Sequence, residues 1–505
     1  MKQLDLSEWL LTQLNQSEFP ARMPVHRRVY ESIRRAIIEG VMPSGARLPS
    51  TRGLSVDLNV SRNTILAAFE QLLDEGYVSA TTGSGTFVCY NQTESFTKSL
   101  NPAVSKATSS ITTETIQLSR RGLIAAGLTA SSQQDNSHEV QPFTPGEDDY
   151  SRFPIAVWRR LLNRHWRALN PALLDSSHDG GYLPLRQAVA DYLRVSRAVN
   201  LSVDQVLITS GTQQSIDLCA RLLSDEGDIA WVENPCYWAA RRVLEINSLK
   251  LHAIKVDNEG LNPSLDDFKI KPKLIYTTPS HQYPKGMVMS YGRRRLLLDY
   301  AQNCNGWIIE DDYDSEFRFE GRPISSLQGM DLHDRVLYLG TFSKVMYPGI
   351  RLGYMVVPPQ LIQGFKLGLY ELQRPGQVMI QAALADFMEE GHFVSHIRRL
   401  KQTYAERRYL LQTALASIAE VGARLSPIDS GLHLVVEFDA HIDDVRIAKL
   451  AEDIGLRIYP LSNYCLGGHV EKGLIIGYAY AATDKIAHHG KQLAGVIQTA
   501  LNAHS

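Results

Sequence analysis

The sequence has few of the features that mark a membrane, disulfide or metal protein. Its five cysteines, Cys89, Cys219, Cys236, Cys304 and Cys465, are odd in number and widely scattered. No CxxC spacing occurs, so neither a disulfide framework nor a structural zinc site is expected, and no metal is assigned. Long apolar runs are missing too. LIIGYAYAA at 474–482 is among the longest, far short of the ~20 residues a membrane helix needs. The start, MKQLDLSEWL, has no cationic region leading into an apolar run, so a signal peptide is not expected and the chain reads as cytoplasmic, with no membrane partner. Nor is there an excess of one charge: 52 Lys+Arg against 54 Asp+Glu gives −2. That balance excludes a polybasic nucleic-acid coat and an acidic tail protein, but it leaves room for a small basic module diluted by a large neutral one.

What is present is 505 residues, too many for one ordinary core and, at ~150 residues per domain, about three units. Composition shifts divide them. Residues 1–21 read as a helical extension and 22–90 as a small helical module. Residues 91–140 read as a flexible tether, because 91–120 hold twelve Ser/Thr and a single aromatic, Phe96. Within that range QLSRRGLIAAGL has the pattern of a short docked segment. From 141 to 505, strand-like runs (QVLIT, IAWV, LIYTT, GWIIEDD, RVLYLG, RLGYMVV) alternate with helical stretches, the signature of βαβ units around a mainly parallel sheet.

In the first module, Val25, Val29, Ile33 and Ile37 recur every four residues, one face of a helix that Gly40 stops. Ser50 is placed to cap a short helix carrying Leu54 and Leu58, Asn59-Val60 to make a turn, and Ser61 to cap a second helix with Ile65, Ala68, Phe69, Leu72 and Leu73 inward. This is a helix-turn-helix, whose second helix enters the major groove of DNA by its N-terminal end. Its first turn offers Ser61, Arg62, Asn63 and Thr64, able to bond phosphates or base edges. YVSATTGSGTFV then reads as strand, glycine turn and strand, the wing of a winged helix. Between 22 and 69 there are eight arginines against three acids, the local electrostatic footprint of phosphate binding. A helical protein-docking module with a solvated arginine face is the blander alternative.

The strings RLPSTR, VSRNTI, DEGY and GSGTFV, in this order, resemble the GntR family of winged-helix repressors over nearly all of 22–90. The resemblance implies DNA contacts by Arg47, Ser50, Thr51, Arg52, Ser61, Arg62, Asn63, Thr64 and the wing glycines Gly83 and Gly85. Thr82 departs from it, standing where many relatives carry arginine.

In the large region the informative string is GTFSKVMYPGIRLGY at 340–354. Lys344, in a short Ser/Gly segment after an apolar strand, can form a Schiff base with an aldehyde, and Arg351 can approach the same anion as Ser343. An acid ends another strand in GWIIEDDYDSEF, followed by Tyr313. Pyridoxal phosphate needs a carboxylate at its ring nitrogen, a donor at its phenolic oxygen and a cradle for its phosphate. Asp311, Tyr313 and the Ser210-Gly211-Thr212 turn that opens a helix after QVLIT have the chemistry for these three roles. The plainer reading makes Glu310-Asp311-Asp312 a solvated acidic turn and the Ser-Gly-Thr turn a simple helix cap.

Residues 141–505 resemble the fold-type I aminotransferases, a mainly parallel sheet with a small C-terminal α/β lobe, and with the winged helix the chain resembles the MocR/GabR regulators. That resemblance implies pyridoxal 5'-phosphate joined to Lys344, with Asp311 at the pyridine nitrogen and Tyr313 at the phenolic oxygen. It implies Tyr237 stacked on the ring, and phosphate held by Ser343, Arg351, Ser210, Gly211 and Thr212. Tyr182 in GGYLPLR matches a tyrosine that reaches the neighbouring subunit's phosphate, which implies a homodimer. Departures are Lys285 where threonine is usual, Tyr283 where aminotransferases carry asparagine, and Cys236 where glycine is usual. LIIGYA lacks the arginine that binds substrate carboxylate in ordinary aminotransferases; Arg457 in GLRIYP is the nearest candidate effector clamp, or else a solvent-facing strand residue. The expected function is a transcriptional regulator that binds an operator and senses an amino compound or pyridoxal phosphate itself. The alternative is an active aminotransferase with an auxiliary winged helix.

Overall fold

The structure is a computed structural model and describes residues 9–11, 23–81, 84–89, 118–126, 140–167, 171–173, 180–321, 324–373, 376–426, 430–468 and 470–502. Thr82, Gly83, most of the 1–21 extension and most of the 91–140 tether lie outside these. The chain divides into two compact units, Met1–Thr115 and Ile116–Ser505.

In the first unit, α1 (Val25–Ile38) buries Val29, Tyr30, Ile33, Ala36 and Ile37, but Val25, at its exposed first turn, stays in solvent rather than joining the apolar face. Gly40 follows with φ 75°, the left-handed conformation a side chain would resist. Ser50 Oγ accepts from Gly53 N–H at 3.1 Å and starts α2 (Thr51–Asp57); Asn59, at φ 51°, makes the turn. Ser61 Oγ accepts from Thr64 N–H at 3.1 Å and starts α3 (Arg62–Asp74), which buries Ile65, Ala68, Phe69 and Leu72. Leu73 is only partly buried against that core. Strands β1 (Val78–Thr81) and β2 (Gly85–Val88) pair antiparallel, Val78 opposite Val88 and Thr81 opposite Gly85. The DEGY motif proves structural: Glu75 accepts from Tyr30 OH, and Tyr77 OH accepts from Arg34 Nε at 2.9 Å, tying the end of α3 back to α1. Ser61→Ala removes a cap from the second helix, so the unfolding transition of this unit should fall by about 1 kcal/mol, read by denaturation of the full chain.

The second unit starts with a short helix, α4 (Arg120–Ala125), inside the range expected as tether; it packs against the helix at 238–246. Helices α5 (Ile155–Arg167) and α6 (Leu183–Arg197) precede β3 (Val206–Thr209) and α7 (Thr212–Leu223). Then follow β4 (Ile229–Asn234), α8 (Trp238–Ile246), β5 (Lys250–Asp257), β6 (Gly260–Leu261), β7 (Leu274–Thr277), α9 (Tyr291–Cys304), β8 (Trp307–Asp312), β9 (Val336–Thr341) and β10 (Gly353–Val356). They form one eight-stranded sheet in the order β3-β10-β9-β8-β7-β4-β5-β6. β4, β5, β7, β8 and β9 run parallel; β10 is antiparallel to both its neighbours, and β6 to β5. Alternate residues enter different cores: Ile208, Tyr338 and Tyr354 one, Leu207, Leu339 and Met355 the other. A sheet covered on both faces is why these strands read as continuous apolar runs.

Helices α10 (Ile362–Gln373), α11 (Val378–Glu389) and α12 (His392–Leu415) lead into the smaller lobe. There β11 (Arg424–Leu425), β12 (His433–Phe438), α13 (Asp444–Glu452), β13 (Tyr459–Pro460), β14 (Lys472–Gly477) and α14 (Ile486–Asn502) build an antiparallel sheet, β11-β12-β14-β13, backed by helices. Among the described residues no helix is long and apolar enough to cross a membrane.

Candidate functional site

On the first unit the expected DNA-contacting residues share one kind of environment. Arg47, Ser50, Arg52, Ser61, Arg62 and Asn63 are exposed, and Thr51 and Thr64 are half-buried. Arg62 and Asn63 stand on the first turn of α3, where backbone N–H groups and the helix dipole favour an anion. Gly85 has φ 119°, and a Cβ there would meet the Arg47 guanidinium at 2.7 Å. A side chain at this position would be strained by its φ and would displace the Arg47 guanidinium. Gly83 lies outside the described residues.

In the second unit a cleft of about 1210 Å³ opens between the large sheet and the smaller lobe. It is lined by Ser210, Gly211, Thr212, Tyr237, Tyr313, Ser343, Lys344, Arg351 and Arg457, residues scattered over 248 sequence positions (457 − 210 + 1) and assembled by topology. Most lie at strand ends, where parallel strands hand over to helices and leave a crevice. Ser210 ends β3, and Gly211, with φ 124°, opens α7; Ser210 N–H donates to the Gln214 side chain. Arg351 takes φ 49° after a short 3-10 turn, and Ser343 N–H is held by Thr341 Oγ1 at 3.1 Å. A helix N-terminus, a hydroxyl and a guanidinium thus line the same cleft, the donor set a phosphate needs.

The three acids ending β8 are buried, not a solvated turn. Strand alternation sends them to opposite faces. Glu310 accepts from the N–H groups of Leu327 and Gln328 at 2.7 and 2.8 Å, capping a one-turn helix. Asp312 Oδ2 accepts from Arg197 Nε at 2.7 Å and from Tyr338 OH at 2.5 Å. Asp311, between them, points the other way: Oδ2 accepts from Tyr276 OH at 2.6 Å, and Oδ1 is buried with no hydrogen-bond partner. Burial pushes the Asp311 carboxyl up to about 7, against the lowering effect of Tyr276. The raised value fixes the sign of a pH effect. From about 4, the unfolded carboxyl value, to about 7 this group keeps its proton in the folded cofactor-free protein and loses it in the unfolded chain, so its own contribution to stability falls as pH rises. Glu310 and Glu316, likewise pushed up to about 7 by burial, act in the same sense. Asp311→Asn should flatten part of that slope in a pH series of melting midpoints.

Lys344 Nζ donates to Gly146 O and lies 3.5 Å from Asp148 Oδ2. Tyr313 OH meets His281 Nδ1 at 2.8 Å, and His281 Nδ1 is 2.9 Å from Asp314. Tyr237 sits edge-on to Tyr283 with centroids 5.4 Å apart, and Tyr283 in turn to Tyr313 and Tyr464 at 5.6 Å, forming an aromatic wall. Tyr182 is not brought into the cleft. It starts α6, where its N–H donates to Gln381 Oε1 at 2.8 Å and its ring packs against Leu173, Val378, Met379 and Ala382. Arg457 is no solvent-facing strand residue: its side chain is 11% exposed, and its guanidinium reaches Glu452 Oε1 at 3.0 Å.

This architecture and site match known proteins over most of the chain. Residues 146–469, more than half of it, match the aminotransferase class I and II family, and residues 25–88 match the bacterial regulatory proteins of the gntR family. A probable rhizopine catabolism regulatory protein, MocR, of Rhizobium meliloti is 37% identical over 91% of this chain and 91% of its own. The chain belongs to the MocR/GabR family of transcriptional regulators. The pyridoxine biosynthesis regulator PdxR of Corynebacterium glutamicum is 30% identical to this MocR-type chain, over 92% of it and 94% of PdxR. The structure of a Pyrococcus horikoshii kynurenine aminotransferase, in complex with PMP, is 26% identical, with a TM-score of 0.66 over 78% of this chain and 97% of that one.

The cofactor implied by an aminotransferase class I and II unit is pyridoxal phosphate, and the residues of this MocR-type chain fit it. A buried carboxylate oxygen without a donor, Asp311 Oδ1, is the partner a protonated ring nitrogen requires. The three departures have structural explanations. Lys285 is buried and pairs with Glu471 at 2.6 Å and Glu437 at 3.5 Å, tying the segment after β7 to the smaller lobe. Cys236 is buried, and its side chain joins the apolar cluster of Val232, Ala240 and Tyr276, packing that a glycine would lack. Tyr283 supplies the centre of the aromatic wall. Sequence reasoning missed Trp238, His433, Tyr464, Gly146 and Glu147, which also line the cleft. Of these, only Trp238 had a nearby signal, as the neighbour of Tyr237.

Proposed function

We propose that this chain binds an operator through its winged helix and, with pyridoxal phosphate in the cleft, senses an amino compound or the cofactor itself. The observation that carries this is one polypeptide holding both an exposed, capped DNA-reading helix and a cleft whose buried Asp311 Oδ1 lacks a donor. When bound, pyridoxal phosphate supplies an aldehyde that condenses with amines and a pyridinium ring that draws electrons. Lys344 would be the amine that holds it, and Asp311 would keep a proton at the ring nitrogen. Tyr313 would donate to the phenolic oxygen, with His281 setting the direction of its hydroxyl. Tyr237 would cover the ring. Ser210, Gly211, Thr212, Ser343 and Arg351 would hold the phosphate through backbone N–H groups, hydroxyls and a guanidinium. Arg457, which lines the cleft and pairs with Glu452, would be the residue to meet an effector carboxylate. Tyr182, outside its own cleft, suits a role in the partner of a homodimer, making the sites composite.

An effector shifts DNA binding only by binding two conformations with different affinity, tenfold for each 1.4 kcal/mol. A regulator needs no turnover for this. The reading as an active aminotransferase is weakened by β14, which presents no arginine to the cleft, and by the Glu452 partner on Arg457. The cell compartment we assign is the cytoplasm, where DNA is accessible. Arg62→Ala is expected to weaken operator binding by about 1–3 kcal/mol, roughly 5- to 150-fold, while leaving the cofactor absorbance unchanged. Gel-shift titrations and absorbance spectra on the same samples test it; altered spectra would contradict two independent modules.

A further inference from the structure

We infer that Asp148, with Glu147 beside it, selects among effectors: the cleft takes amines bearing a hydrogen-bond donor on the carbon next to the amino-bearing carbon and disfavours α-amino acids. This rests on the sensing reading above and names the ligand class of that site. Gly146 and Glu147 line the cleft, and Asp148 follows them at 3% exposure. Both Asp148 carboxylate oxygens are buried without a hydrogen bond, and its cationic neighbour is Lys344 Nζ at 3.5 Å. A buried carboxylate whose cation stands 3.5 Å away keeps unfilled acceptor positions, and a ligand that brings an O–H or N–H to them relieves that cost.

Lys344 is the amine that an effector amine replaces in the sensing reading, so the ligand's nitrogen and its nearest substituents enter the neighbourhood of Asp148. An α-amino acid places its carboxylate one carbon from that nitrogen, which sets two anions close together in a low-dielectric site. A hydroxymethyl or aminomethyl group in the same place donates to Asp148 instead. Burial raises the Asp148 carboxyl to about 6, with Lys344 opposing. Glu147, Asp314 and Tyr150 also bear on this position, and none of them supplies a cation to receive an α-carboxylate. Among the cleft's other cations, Arg457 and Lys449 pair with Glu452, Arg242 lies over the Trp238 ring, and Arg241 and Arg351 also line the cleft. A carboxylate farther from the amine is not affected by Asp148.

The test is a matched pair differing only in the group at issue, 2-amino-1,3-propanediol and L-serine, titrated into the cofactor-loaded full chain with absorbance as the readout. The diol is expected to half-saturate the change at a concentration at least about tenfold lower than L-serine. Asp148→Asn should bring the two within about threefold, mainly by improving L-serine, and Glu147→Gln should narrow the gap less. Equal half-saturation in the wild-type chain, or an unchanged ratio in Asp148→Asn, overturns the selection role alone. If Asp148→Asn fails to hold the cofactor, the wild-type pair still decides. No spectral response to either amine overturns the selection role and leaves, of the sensing reading, only the response to the cofactor itself.

Discussion

Asp312→Ala is expected to lower the stability of the 116–505 unit by about 3–5 kcal/mol while leaving the winged-helix transition where it was. The size follows from what the carboxylate holds. Arg197 is 7% exposed; its Nε donates to Asp312, Nη1 to Ile324 O at 2.7 Å and Nη2 to Ser280 Oγ at 2.5 Å. Tyr338 OH donates to the same Asp312 oxygen. Removing the carboxylate leaves a buried guanidinium uncompensated and a buried phenol without its acceptor. Breaking a buried pair costs far more than the pair's net contribution, because the surviving charge cannot reach water. Asp312→Asn keeps an acceptor and should cost less. Denaturant titration of the full chain, following the larger unit, checks this. A shift below about 1 kcal/mol would place the pair among weak surface bridges and contradict its burial.

The second large effect is on the cofactor. Lys344→Ala is expected to abolish the absorbance of covalently held pyridoxal phosphate and, with it, any response of DNA binding to amines. The loss is expected to be complete rather than graded because the proposed attachment is through this one side-chain amine. The variant should fold with some loss of stability, since it gives up one hydrogen bond, to Gly146 O, and the ion pair to buried Asp148, whose raised carboxyl can take up a proton instead. It should still bind the operator in gel-shift assays. A variant that retained the bound-cofactor band after dialysis would show that another amine does this work.

The sequence made the strand ends legible and left the packing between them obscure. VSRNTI and RLPSTR announced two capped helices because a cap is a local event, one hydroxyl and one N–H three residues away. SGT, EDDY and FSK could be joined because parallel strands bring their C-terminal ends to one crevice. The different fates of Glu310, Asp311 and Asp312 follow from strand alternation, but which face held the cofactor cleft depended on strands far away in sequence. Val25 was misassigned to the apolar face because periodicity cannot tell a first turn that protrudes from one that packs. Asp148 gave no signal: nothing in PGEDDY says that its second acid lies near a lysine 196 positions later (344 − 148). Tyr182 lies outside the cleft of its own chain, packed against Leu173, Val378, Met379 and Ala382, which nothing in GGYLPLR announces.

The most direct test is a footprint on the DNA flanking the chain's own gene, made with and without pyridoxal phosphate and small amines, alongside a turnover assay. The account predicts a protected operator whose affinity or extent changes with cofactor and amine in the wild-type chain, and does not respond to amines in Lys344→Ala. Absence of any footprint, together with rapid multiple turnover of an amino donor, would contradict it and make the winged helix an accessory of an enzyme.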